Sequence, residues 1–147
     1  MTDRIDALKA LLTRLVDSRE GYAEAIGHVG SPAVKSVLEE FRARRARDAD
    51  EVRAFLARDG HVIEDDGSLL AAAHRTFVGL KDAVTTSDDA ATLGEVLRGE
   101  KVLLGSYDDA VAAEADGPGP EYGFLIEQQQ SLKAAITQLE TRHDLAA

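Results

Sequence analysis

Apolar residues recur along almost the whole chain at alternating steps of three and four. That spacing marks one face of an α-helix; a half-buried strand would show alternation at every second residue. Striped helices must bury their stripes against one another, which confines the chain to packed helices. The first stripe is Ile5, Leu8, Leu12, Leu15, Tyr22, Ile26 and Val29, with Arg19 filling the remaining slot, and predicts a helix over about 3–29. The second is Val34, Leu38, Phe41, Arg45, Asp48, Val52 and Phe55, apolar at both ends and polar in the middle, and predicts a helix over about 32–59. Leu93, Leu97, Glu100, Leu104, Tyr107 and Val111 place a third helix over about 89–115. Tyr122, Leu125, Gln129, Leu132, Ile136, Leu139 and His143 place a fourth over about 121–143.

The breaks between stripes set the topology. In Gly30-Ser31-Pro32, glycine tolerates a left-handed helix cap, Ser31 can accept at an N-terminus, and Pro32 suits a first helical position. So short a link makes the first two helices antiparallel neighbours. Asp116-Gly117-Pro118-Gly119-Pro120 is the plainest break and sets up a second hairpin. Between Gly60 and Asp88, the polar stretch from Ile63 to Gly67 precedes a shorter helix over 68–86, with Leu70, Ala73, Phe77, Leu80 and Val84 on one face. Such a helix spans roughly 27 Å, enough to cross a bundle end to end. Two hairpins joined by one long crossover form the ferritin-like arrangement. The expectation is an all-α, ferritin-like up-down four-helix bundle with a long helical crossover between helices 2 and 3. At about 150 residues per domain, the 147 residues make one domain, 1–147.

Composition narrows the function classes. The absence of cysteine excludes disulfides, thiolate metal sites and cysteine nucleophiles. Seventeen Lys and Arg against 27 Asp and Glu give a net charge of −10, which disfavours sequence-independent nucleic-acid binding. No apolar run approaches the ~20 residues of a membrane span. Met1-Thr2-Asp3-Arg4 lacks the apolar region of a secretory signal, so a soluble, cytoplasmic protein is expected. No phosphate-binding glycine loop or Ser–His–Asp arrangement is present. Gly94 and Gly105 share a helix face, which suggests close helix approach. Leu11, Val16, Val102 and Leu103 lie off the main stripes. They are candidates for a homodimer contact or for packing under the crossover helix.

A set of polar residues lies on or beside the apolar stripes: Arg19, Glu20, Arg44, Arg45, Asp48, Glu51, Glu100 and Gln129. A buried charge without a partner is costly, so this belt is an ion-pair network, a metal site, or partly solvated. Di-iron bundles take a Glu from each of two helices and a Glu-x-x-His from each of the other two. The one match is Glu140-x-x-His143, in the last helical turn, and helices 2 and 3 carry no histidine. Glu20 and Glu51 also differ in height by roughly 16 Å, far more than two ligands of one centre allow. The ion-pair reading pairs Glu20 with Arg44 or Arg45 across the first hairpin, and Arg45 with Asp48 as i, i+3 neighbours. The alternative is a divalent-cation site (Fe, Mn or Zn) drawing on Glu20, Glu51, His74 and Glu100. His74-Arg75, beside the apolar face of the crossover helix, is either a ligand or proton acceptor or an interfacial pair pinning that helix to the bundle.

Several segments carry a family resemblance. They are Ser18-Arg19-Glu20-Gly21-Tyr22, Asp50-Glu51-Val52, the crossover segment Ala73-His74-Arg75-Thr76-Phe77-Val78-Gly79-Leu80-Lys81, and Leu97-Arg98-Gly99-Glu100 with Tyr107. In these the chain resembles a bacterial family of ferritin-like four-helix-bundle proteins known as a domain of unknown function. The resemblance covers nearly the whole chain and implies the fold and a bacterial, soluble protein, but no activity. Such sequences usually carry a His-Asp pair midway along the last helix, where this chain has Ile136-Thr137.

The functional expectation is a non-enzymatic helical-bundle protein, stress-associated, acting through protein contacts or self-association, with no cofactor. The alternative is a ferritin-like metal-binding protein or oxidase using interior carboxylates.

Overall fold

A computed structural model describes residues 4–63, 88–115 and 120–147. Four long helices account for nearly all of them: α1 (Arg4–Ile26), α2 (Pro32–Arg58), α3 (Asp89–Ala115) and α4 (Gly123–Ala146), the last preceded by a 3-10 turn at Pro120–Tyr122. Among the described residues there is no strand. The expected crossover helix over 68–86, with His74 and Arg75, lies outside the described residues.

The breaks act as their residues dictate. Ser31 Oγ accepts from the Val34 amide at 3.3 Å and Pro32 begins α2. α1 stops three residues earlier than its stripe predicts. Gly27, a poor helix former, opens a turn in which the amides of His28 and Val29 both donate to the Ala25 carbonyl. α2 ends at Gly60, whose φ of 85° needs a residue without a Cβ. α4 runs three residues past its predicted end, because Asp144, Leu145 and Ala146 carry no breaker.

Contacts at the two ends fix the helix directions. Asp89, in the first turn of α3, accepts from the amides of Gly30 at 2.9 Å and Ser31 at 3.2 Å, tying the α1–α2 turn to the start of α3. At the opposite end Arg4 bridges the ends of α2 and α3, pairing with Asp59 and placing its Nε 2.6 Å from Glu114 Oε1. Glu114 and then Asp59 hold the Arg4 guanidinium above its ordinary pKa. Phe55 of α2 stacks 5.0 Å from Phe124 of α4 at this same end. α1 therefore runs antiparallel to α2 and α3, and α4 antiparallel to α3: an all-α four-helix bundle. α1 packs along both α2 and α3, and α4 along α3, while α2 and α4 form the sparser side of the ring.

The core is a column of aliphatic and aromatic side chains from all four helices. Leu11, Val16 and Leu103 belong to it, each 0 to 1 % exposed. They are removed as candidates for a dimer surface, because α1 meets two neighbouring helices and buries a wider arc than one stripe. Val102 remains exposed. The expected glycine contact holds only in part. A Cβ at Gly94 would lie 3.7 Å from His143 Nε2, whereas at Gly105 it would meet nothing within 4 Å.

Candidate functional site

At mid-height the apolar column is interrupted by a buried ion pair. Arg45 of α2 and Glu100 of α3 are both essentially inaccessible, at 0 % and 1 % exposure. Arg45 Nε donates to Glu100 Oε2 at 3.0 Å. Its Nη2 lies equally near that oxygen but off the line for a hydrogen bond. The Tyr22 hydroxyl donates to Oε2 at 2.7 Å and the Ser18 hydroxyl to Oε1 at 2.5 Å. Two turns of α1 thus supply two hydroxyls to one carboxylate, while the facing helix supplies the counter-charge. Arg45 Nη1 extends the network to Asp48 Oδ2 at 3.1 Å.

The electrostatics follow from this enclosure. Burial alone would drive the Arg45 guanidinium toward neutrality, but Glu100, Tyr22 and Asp48 outweigh it and raise its pKa. Burial, reinforced by Glu100, pushes the Tyr22 hydroxyl well above its ordinary range. Asp48 is pushed up to about 6 by burial, against the pull of Arg45. A second polar link lies beside the first. Tyr107 donates to Gln128 Oε1 at 2.7 Å, and Gln128 Nε2 reaches the Asp48 carbonyl and Glu51 Oε1, both at 3.4 Å. This link spans the sparse α2–α4 side.

The predicted belt is therefore narrower than its sequence suggests. The expected pairing of Glu20 with Arg44 or Arg45 is not made. Glu20 is partly exposed and bonds Arg19 at 3.2 Å, Arg44 bonds Glu40 at 2.8 Å, and Arg45 turns inward to Glu100. The physical reason is that a buried guanidinium is satisfied by a buried carboxylate, and Glu100 is the one at its height. Arg45 and Asp48 pair as expected. Glu51 is exposed except for its contact with Gln128. Gln129 sits half-buried at the surface and donates to Asp108, so the buried glutamine is Gln128. Leu125, Leu132, Ile136 and Leu139 are buried as the stripe predicts; between Leu125 and Leu132 a step of three then four selects Gln128 where four then three selects Gln129.

For the metal candidates, Glu100 has its oxygens engaged by three protein donors, and Glu20 and Glu51 point to different partners. Glu140 pairs with Lys101 at 3.7 Å and His143 with Asp144 at 3.6 Å. Among the described residues no three His, Asp or Glu side chains come together in a metal-holding group. Ile136 is a buried core residue and Thr137 bonds back to the Lys133 carbonyl, so neither offers a ligand at this departure from the resemblance.

A groove of about 310 Å³ opens beside the ion pair, between α1 and α3. Ser18, Gly21 and Tyr22 line it from α1, and Arg98, Gly99 and Glu100 from α3. Two of the segments that carry the family resemblance, Ser18–Tyr22 and Leu97–Glu100, thus meet at one place. Asp17 also lines the groove and escaped the sequence reading. It is 7 % exposed, its Oδ1 is buried without a hydrogen-bond partner, and burial pushes its pKa to about 6 against the pull of Arg14 and Arg98. The available signal was its spacing from Arg14 (i−3) and Gly21 (i+4), which puts all three on one edge of the α1 stripe.

No curated protein and no solved structure matches the chain. Residues 3–113 match a family model described as a domain of unknown function (DUF2383), a stretch that takes in α1, α2 and nearly all of α3 but not α4. On that match, which spans well over half of its length, the chain belongs to the DUF2383 family.

Proposed function

We propose that this is a non-enzymatic, cytoplasmic bacterial bundle protein of ferritin-like topology that acts by contact with another protein or with a second copy of itself. The observation that carries the reading is the saturation of Glu100. Its two oxygens accept from Ser18, Tyr22 and Arg45, so the most buried carboxylate among the described residues serves its own fold. Buried pairs of this kind set register and partner choice more than they add stability. The ferritin-like topology is supported by α2 and α3 running the same way, with the end of α2 and the start of α3 at opposite ends of the bundle. Of the four off-stripe candidates Leu11, Val16, Val102 and Leu103, Val102, at 44 % exposure, remains available for self-association.

Elemental analysis of protein purified without chelator, with melting curves in added Fe²⁺, Zn²⁺ or Mn²⁺, tests the reading. The expected result is substoichiometric metal and an unchanged midpoint. Near-stoichiometric metal with a raised midpoint would overturn it in favour of a metal-binding protein or oxidase. Sedimentation velocity over a concentration series reads the self-association arm. Dimer formation that Val102→Glu weakens supports contact between copies, whereas a monomer throughout confines the reading to a different protein partner.

A further inference from the structure

We propose that the α1–α3 groove is a binding site for a small organic ammonium ion, with Asp17 as its anionic anchor. The argument stands independently of the protein-contact reading. Its first observation is the cavity itself, whose volume of about 310 Å³ falls at the lower end of small-molecule sites. A Cβ on Gly99 would meet nothing within 4 Å, so the groove reaches the α3 backbone. Val96 and Val102 add apolar wall.

The second observation is Asp17. The residue lines the groove and is 7 % exposed as a whole, and its Oδ1 has no donor. Buried carboxylate oxygens are ordinarily hydrogen-bonded, as both oxygens of nearby Glu100 are. The lining arginine nearest in sequence to Glu100 is engaged elsewhere: Arg98 donates to Glu95 through Nε at 3.0 Å and holds it through Nη2 at 2.9 Å. An added donor is what the site lacks, and a cationic donor gains most from an ionised acceptor. Arg14 lines the groove as well, three residues before Asp17, but gives its Oδ1 no hydrogen bond, and the charge of Glu100 is already matched by Arg45. The ligand class that fits is a primary ammonium on a compact apolar body: the head on Asp17, the body against Gly21, Val96 and Gly99.

Benzylamine and benzyl alcohol, equal in shape and different in charge, serve as probes. Each is titrated into the full ¹⁵N-labelled chain near neutral pH, with the amide signals of Gly21 and Gly99 followed. Benzylammonium is expected to shift both signals saturably and to bind about tenfold or more tightly than the alcohol, the factor for one charge-assisted hydrogen bond. Asp17→Asn, which keeps the shape and removes the charge, is expected to erase that preference. Gly99→Leu, which fills the groove, is expected to abolish binding of both probes. Should Asp17→Asn fail to fold, Gly99→Leu and the wild-type preference for the cation still decide the matter. Equal affinity for the two probes, a preference that survives Asp17→Asn, or no saturable shift at Gly21 and Gly99 would each overturn the proposal, the last leaving a merely hydrated groove.

Discussion

Two buried acids on facing helices meet opposite fates. Glu100 of α3 is enclosed by a guanidinium and two hydroxyls, whereas Asp17 of α1, beside the same groove, has an oxygen with no donor at all. Both are shielded from water to nearly the same degree. The difference lies in what the helix across from each one presents. α2 directs Arg45 across the bundle to Glu100, and α1 adds Ser18 and Tyr22 one turn apart. Across from Asp17, α3 offers Gly99 and an arginine already held by Glu95. Burial sets the stakes for a carboxylate, and neighbouring donors decide whether it anchors the fold or becomes a reactive point in it.

The largest effect follows from breaking the satisfied side. Arg45→Met leaves the Glu100 charge buried with hydroxyls alone, and the expected loss is about 3–5 kcal/mol in urea or thermal denaturation. Replacing both partners, Arg45→Met with Glu100→Leu, is expected to recover part of that loss, since no buried charge is then left over. A double variant as unstable as the single one would show that Glu100 matters through its hydroxyl partners and not through Arg45.

The unsatisfied side should respond with the opposite sign. The folded pKa of Asp17 is about 6 against 3.8 in the unfolded chain, so the native state holds a proton that the unfolded chain has released. Its contribution to stability is therefore fully present below about pH 4 and is lost as pH rises through 6, and Asp48 behaves likewise. Asp17→Asn removes one of these two penalties. It is expected to stabilise the protein by up to about 3 kcal/mol at neutral pH, to give little below pH 4, and to flatten the decline between. Denaturation midpoints across that range read the effect, and a destabilised Asp17→Asn at neutral pH would mean that Asp17 has found a donor after all.

How far the sequence alone anticipates this arrangement depends on the residue. The helices, their breaks and the core positions Leu8, Phe41, Leu93, Leu125 and Leu139 follow from periodicity, because a stripe must face inward whatever it meets. Arg45 and Glu100 are flagged by the same reasoning, as charges on otherwise apolar stripes. Their union is not, since the pairing joins α2 to α3 across the diagonal and periodicity carries no information about which helix faces which. Gln129 is taken for the buried Gln128 because seven residues separate Leu125 from Leu132, and steps of four then three fit the stripe as well as three then four. Asp17 is only weakly marked by a stripe argument. It lies on the edge of the α1 stripe, and its burial beside the α3 residues of the groove is a property of the packed bundle.

Within the satisfied cluster, Tyr22→Phe isolates one bond. The ring packs 6.2 Å from Phe41, and the substitution keeps that contact while removing the donor to Glu100. A hydrogen bond to a charged acceptor contributes about 1.5–3 kcal/mol, so a loss of about 2 kcal/mol is expected. A smaller loss would mean that Arg45 and Ser18 satisfy the carboxylate without help.

The smallest effects come from two glycines of α3, and they sharpen the contrast because only one of them touches the groove. Neither Gly99 nor Gly105 has any atom within 4 Å of where a Cβ would lie, and both sit inside a helix. Alanine at either position should therefore stabilise the protein by about 0.5–1 kcal/mol through the entropy of the unfolded chain. Since Gly99 lines the groove and Gly105 does not, equal gains would show that the groove wall carries no strain and that its opening there is a matter of shape alone. A Gly99→Ala gain clearly below that of Gly105→Ala would show that the added methyl group displaces something the fold prefers to keep against Asp17 and Glu100. The acid without a donor would then be partnered in solution.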